Sequence, residues 1–521
     1  MSVLRQRRGG AAGAGAGAGA TPAAAAGAET KGKAPIKVGG VNVYKALGII
    51  MLVGLVGTIT RYYREKDPTQ RHLVWERIHE DAGTGFLVYF WDRSGAFSAK
   101  EQISAIIDKG EPMVIINAPT DTWKAVPKWT STYIAETVPE LKGVRSKKTS
   151  DVFYNENLNS MAKAALEVDI GHAPTEETLE SMATQDFFAR TASNGEDGSA
   201  STSYEYFADN LFEPELEALR LDLASSNESA PAAESGVEVF TSAKRHENAY
   251  LWLARSRIKA ALHYDTANNF NVQVMGRKQF SVAPPAQWYN AEIYPSFHVS
   301  ARQSRLPAPW KPVFGKRNVT LMPGQVLYIP AYHLHTAESV TDTANVNFFS
   351  RSRLRIGHKF WLQEERIMPK PLRDLVVHHP SEYPNMVAIF VLGFSVAVKN
   401  HACASRTDKK YDLESIKPHI AEILERRFSH DWDAYGCGDW KASQCPDLSQ
   451  TVEGMPEPIR KSFGDIFADN LKVFKHEPCE QLHPVLDMFL ADWWEATVAA
   501  AVGFDKMCLF LRCLTLPAKN P

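Results

Sequence analysis

His263 and Asp265 stand two residues apart in the segment WLARSRIKAALHYDTANNFNVQVMGRKQFSVAPP. In an extended strand, residues i and i+2 project from the same face, so this imidazole and carboxylate can converge on one point. Further along, MPGQVLYIPAYHLHTAES gives a Pro323-Gly324 turn, an apolar strand Val326–Ile329, and then His333 and His335 at a strand end that can supply a third ligand. Two imidazoles and one carboxylate on one side of a metal, with the opposite positions open, suit non-haem Fe(II) and oxygen activation. An isolated His-x-Asp also reads as a hydrogen-bonded pair that satisfies itself, so its meaning depends on the elements around it.

Those elements are short strands punctuated by Pro and Gly. EPMVIINAP reads as one strand, and a block from Tyr250 to Phe349 reads as a succession of them. Between the two, WTSTYIAETVPEL and YEYFADNLFEPELEALRLDL carry helical spacing, and the polar stretches TASNGEDGSASTS and ASSNESAPAAES read as surface loops. Beyond residue 352 the period is helical in LESIKPHIAEILERRF, PIRKSFGDIFADNLKVF and HPVLDMFLADWWEATVAAAV, which predicts an all-helical C-terminal lobe. MVAIFVLGFSVAV, Met386 to Val398, has the length of a core helix rather than a membrane span.

Over residues 108–352 the chain resembles the cupin-like JmjC family, nearest to the branch of the asparaginyl hydroxylase that acts on hypoxia-inducible factor. HYDTANNFNVQVMGRKQFSVAPP is similar to that family's metal strand, connecting strand and lysine-bearing strand in order. PGQVLYIPAYHLH resembles its last metal segment, and GEPMVIINAPTDTWKAVPKWTSTYIAE its opening strand and first helices. The resemblance implies a mostly β core, a double-stranded β-helix (jelly-roll cupin) with flanking helices. It implies His263, Asp265 and His335 as the Fe(II) ligands, with His333 as pocket wall. It also implies 2-oxoglutarate and O2 as cosubstrates: Lys278 would pair with the distal carboxylate and Tyr206 donate to it, while Asn269 and Asn347 would lie near the metal-bound end. Ala260 stands where close relatives often have Thr, so the carboxylate would have one contact fewer.

The remaining segments bear on location and partners. The chain of 521 residues has a net charge of −2, but residues 1–45 hold seven Lys/Arg against Glu29 alone, so the rest is mildly acidic. Nucleic acid, which needs a clustered basic surface, is therefore not an expected partner. Residues 1–42 read as a disordered basic Gly/Ala tail, with an organellar transit peptide as the alternative. Ala46 to Thr60 is uncharged and spans about 22 Å as a helix; Lys45, Arg61 and flanking tyrosines extend it to a candidate transmembrane anchor over 43–63. Residues 64–107 then form a lead-in and 353–521 the helical lobe. A single-pass membrane localisation follows, its Gly/Ala start and even cysteine count favouring the lumenal side over an organellar matrix. Sequons at Asn227 and Asn318 would report that side.

The six cysteines, Cys403, Cys437, Cys445, Cys479, Cys508 and Cys513, contain no Cys-x-x-Cys. They are expected mostly as buried free thiols, with Cys437 and Cys445 free to pair on a lumenal side. Together these readings predict a membrane-anchored Fe(II)/2-oxoglutarate dioxygenase that hydroxylates a protein side chain. A JmjC-type demethylase and a non-catalytic cupin binding module are the alternatives. A homodimer is expected through lobe residues Leu486, Phe489, Trp493 and Val498, which recur on one side of a helix.

Overall fold

A computed structural model describes residues 37–38, 41–42 and 68–516, apart from 149, 155–159, 168–176, 190–202, 227–238, 241–248, 311–312, 314–316, 404–409, 429–440, 442, 444 and 447–454. Residues 1–67 and 68–521 are separate units. In the first, β1 (Lys37–Val38) pairs antiparallel with β2 (Val41–Asn42).

The second unit holds β3 (Ile78–Asp81), β4 (Phe86–Phe90), β5 (Met113–Ile116), β6 (Glu140–Lys147), β7 (Val152–Phe153), β8 (Thr178–Ala183), β9 (Tyr204–Asn210) and β10 (Ala249–Ala254). Then follow β11 (Lys259–Tyr264), β12 (Asn268–Met275), β13 (Lys278–Ala283), β14 (Asn318–Leu321), β15 (Val326–Ile329), β16 (Leu334–Ser339) and β17 (Thr343–Ser350). They form a ten-stranded sheet, β3-β4-β5-β15-β12-β17-β10-β9-β6-β8, and a five-stranded sheet, β14-β13-β16-β11-β7. From β11 to β17 consecutive strands alternate between the two sheets, except that β13 and β14 pair with each other within the small sheet, which is the winding of a jelly roll. β3 and β4, ahead of residue 108, join the large sheet through a parallel β4–β5 pairing.

The period of two explains which residues line the interior. In β12, Phe270, Val272 and Val274 belong to the apolar cluster shared with Leu251, Val346 and Phe348. The alternate residues Asn269, Asn271 and Gln273 take the opposite face of the strand and are also buried. On the small sheet, Leu262, Tyr264 and Leu334 pack with the helical lobe, while Phe280, Val282 and Ala337 pack with Leu327 and Ile329 of the large sheet. His263 and His335 therefore lie on the face turned away from the lobe, toward the space between the sheets. At the β12–β13 turn Gly276 has φ 72°, and a Cβ there would collide with the carbonyl oxygen of Asp342, so only glycine fits this reversal.

The lobe contains the helices Arg353–Trp361, Tyr383–His401, Lys417–Phe428, Glu457–Lys472, Leu486–Val502 and Phe504–Leu514. Its two most apolar helices, Tyr383–His401 and Leu486–Val502, are buried together in one core. Leu486, Phe489, Trp493 and Val498 sit in that core at 3% exposure or less, so they serve the single chain's interior rather than an outward dimer face.

Three expectations are corrected. Among the described residues no helix is long and apolar enough to cross a membrane, against the expected single-pass membrane localisation; the apolar helices present are satisfied by packing in the lobe. The segment 43–63 on which that expectation rested lies outside the described residues, as does Asn227. Cys403 pairs with Cys479 and Cys445 with Cys513, and Cys508 is disulfide-bonded too, so these are not free thiols and Cys445 does not pair with Cys437. Finally, YEYFADN is not helical. It is β9, paired with β10 and β6, because its backbone groups complete the large sheet.

Candidate metal centre

β11 and β16 are antiparallel neighbours, and His263 lies directly opposite His335, past a register shift between Ala260 and His263. The two rings are 4.2 Å apart between centroids. Asp265 follows β11, its backbone carbonyl accepting from the N–H of Tyr332 at 2.6 Å. Ligand atoms of His263, Asp265 and His335 all lie within 4.8 Å of one another. His333 is not part of that group. It is buried, its Nδ1 lacks a partner among the described residues, and burial pushes it down to about 4.

Backbone carbonyls hold the two imidazoles in a single orientation. His263 Nδ1 donates to Ala261 O at 2.7 Å, and His335 Nδ1 donates to His333 O at 3.0 Å. With Nδ1 carrying the proton, each Nε2 presents its lone pair, and His335 Nε2 faces Asp265 Oδ2 at 3.5 Å. The carboxylate is oriented in turn by Asn269, whose Nδ2 donates to Oδ2 at 3.2 Å. Burial, reinforced by His335, pushes His263 down to about 4, so it is neutral at physiological pH, as a metal ligand must be. Two imidazoles and one carboxylate are a donor set compatible with Fe(II).

Lys278 opens β13, beside β16, with 3% exposure. Its Nζ donates to Asn345 Oδ1 of β17 at 2.7 Å, spanning the space between the sheets. Among the described residues no carboxylate pairs with it, and burial pushes its ammonium down to about 7. Asn345 also donates to Asn271 and Asn347 at 3.1 and 2.9 Å, forming a chain of amides. The Tyr206 ring lies 5.8 Å from Lys278 Nζ, and its hydroxyl is kept protonated by burial. Ala260 pairs with Ala337 across β16 and adds no hydroxyl.

The sequence reading missed Asn345, Asn271 and Gln273. The signal was available: in NNFNVQVM and TANVNFF amides alternate with apolar residues at the strand period. A strand apolar on one face and amide-rich on the other, with both faces buried, must face buried polar partners.

Residues 98–354 match the family model of the cupin-like domain.

Proposed function

The chain belongs, through that domain, to the cupin-like family, and on this premise we propose that it is an Fe(II)- and 2-oxoglutarate-dependent dioxygenase acting on a protein side chain. The observation that carries the reading is that the inward face of the small sheet carries both a His-Asp-His cluster and a buried ammonium whose partner is a neutral amide. A buried unpaired charge is costly, so Lys278 makes physical sense as half of an ion pair completed by a ligand carboxylate. His263, Asp265 and His335 would hold Fe(II). Lys278, supported by Asn345, would hold the distal carboxylate of 2-oxoglutarate, with Tyr206 as wall and Asn269 and Asn347 toward the metal.

Bound together, Fe(II), 2-oxoglutarate and O2 supply oxidising power for oxygen insertion into a C–H bond, with decarboxylation to succinate. The chain's own residues perform orientation and exclusion. Ala261 and His333 carbonyls fix the imidazole tautomers, Asn269 holds the carboxylate, and Phe280, Val282, Leu327 and Ile329 form an apolar layer between the two sheets. A protein side chain as substrate rests on the likeness of the metal segments to the asparaginyl hydroxylase branch.

The test is metal content and succinate formation with the purified full chain. Retained Fe(II) and 2-oxoglutarate turnover that Lys278→Ala suppresses support the reading. Metal without 2-oxoglutarate binding would instead favour a non-catalytic module, and formaldehyde release from a methylated peptide would favour demethylation.

A further inference from the structure

The small sheet has two faces. One carries the ligand imidazoles; the other packs against the lobe, and a buried polar path crosses between them. Tyr332, in the turn joining β15 to β16, has φ 67°, a left-handed conformation that crowds the Cβ of a non-glycine residue. Such a residue persists only where its surroundings fix it. Here the Tyr332 N–H donates to the Asp265 carbonyl at 2.6 Å, and its hydroxyl donates to Nδ1 of His358 at 3.1 Å. His358 stacks on Phe489 with rings 4.2 Å apart and 11° from parallel, and its Nε2 faces Asp492 Oδ2 at 3.4 Å. Burial pushes His358 down to about 4, so the ring is neutral; its Nδ1 accepts from Tyr332, while its Nε2 meets Asp492 as a close polar contact without a hydrogen bond. Asp492 is itself held from its other oxygen by Arg427 at 2.6 Å.

We infer that Asp492, His358 and Tyr332 form a positioning relay, its firm links the His358–Phe489 stack and the Tyr332–His358 bond, through which the lobe helix Leu486–Val502 fixes the turn that sets Asp265 against His335. The inference rests on the metal reading above. None of the three touches the ligand cluster with a side chain: Tyr332 acts through the backbone of Asp265 and through the chain three residues before His335. The lobe is thus a component of the centre's geometry as well as a core of its own.

The experiment loads the full chain with Co(II) and reads its visible absorption, its dissociation constant and the thermal midpoint. Tyr332→Phe and His358→Phe keep the rings and the stacking on Phe489 but break the path. Each should weaken Co(II) about tenfold and alter the absorption band, the scale seen when groups behind metal ligands are removed. The double variant should be no worse than the weaker single one, because both remove the same link. Trp494→Phe, which removes the indole bond to Ser395 elsewhere on the same helix, is the control: it should lower the midpoint and leave the Co(II) band unchanged. Affinity and band unchanged in both Tyr332→Phe and His358→Phe would overturn the relay while leaving the metal reading intact. Failure of the unmodified chain to take up Co(II) would overturn the metal reading, and the relay with it.

Discussion

Two buried cations, one in the barrel and one in the lobe, are each 3% exposed and are treated in opposite ways. Arg427 lies between Asp492 and Glu495 and also donates to Ser296 at 3.0 Å. Burial alone would lower its affinity for the proton, but the two carboxylates hold it well above the ordinary value. Lys278 has an amide oxygen and no carboxylate among the described residues, and burial is left unopposed. The lobe's charge is closed within the chain; the barrel's charge is left open. A cation completed internally serves structure, whereas one that lacks its anion marks where a ligand binds.

The largest effect expected is complete loss of metal. His263→Ala, Asp265→Ala and His335→Ala should each abolish metal uptake by the full chain, while His333→Ala should retain it, since His333 stands outside the cluster. Metal analysis after dialysis decides this; loss with His333→Ala and retention with His335→Ala would reassign the third ligand.

Next come the two cations themselves, which should respond with opposite signs. Arg427→Met leaves buried carboxylates without their counter-charge and should destabilise the fold by about 3–5 kcal/mol in denaturant unfolding. Lys278→Met removes an unpaired buried charge and should stabilise the ligand-free protein by roughly 1–3 kcal/mol. The same change should raise the 2-oxoglutarate requirement about 10–100-fold, because a charge-assisted bond contributes about 1.5–3 kcal/mol. Destabilisation by both would erase the comparison and make Lys278 another structural charge.

How far the sequence alone carries this picture depends on the range of the forces involved. The approach of Asp265 to His263 was legible because the two stand two residues apart at the end of a strand, and the lobe helices because their apolar spacing persists over several turns. β9 was misread because YEYFADN runs directly into LFEPELEALRLDL and shares its spacing; only pairing with β10 and β6, remote in sequence, makes it a strand. Cystine partners lie 76 and 68 residues apart, a choice set by tertiary proximity that no local pattern encodes. The path from Asp492 to Tyr332 joins residues some 160 apart and was invisible for the same reason.

The smallest effect is a pH slope that the open cation alone should produce. In the folded chain burial pushes Lys278 down to about 7, against roughly 10.4 when unfolded. Below about pH 7 both states carry the proton, and the full cost of burying the charge is present. Between about pH 7 and 10 the folded state releases the proton while the unfolded state keeps it, so stability rises with pH over that window. The stabilisation gained by Lys278→Met should therefore be greatest at and below pH 7 and shrink toward pH 10. On the proposed reading 2-oxoglutarate binds through the ammonium, so its affinity should fall over the same interval, and the bound carboxylate should move the transition to higher pH. Denaturant midpoints of the two proteins at half-unit intervals test this. A difference constant from pH 7 to 10 would mean that the Lys278 ammonium is as well compensated as the Arg427 guanidinium, and that the barrel holds no open charge.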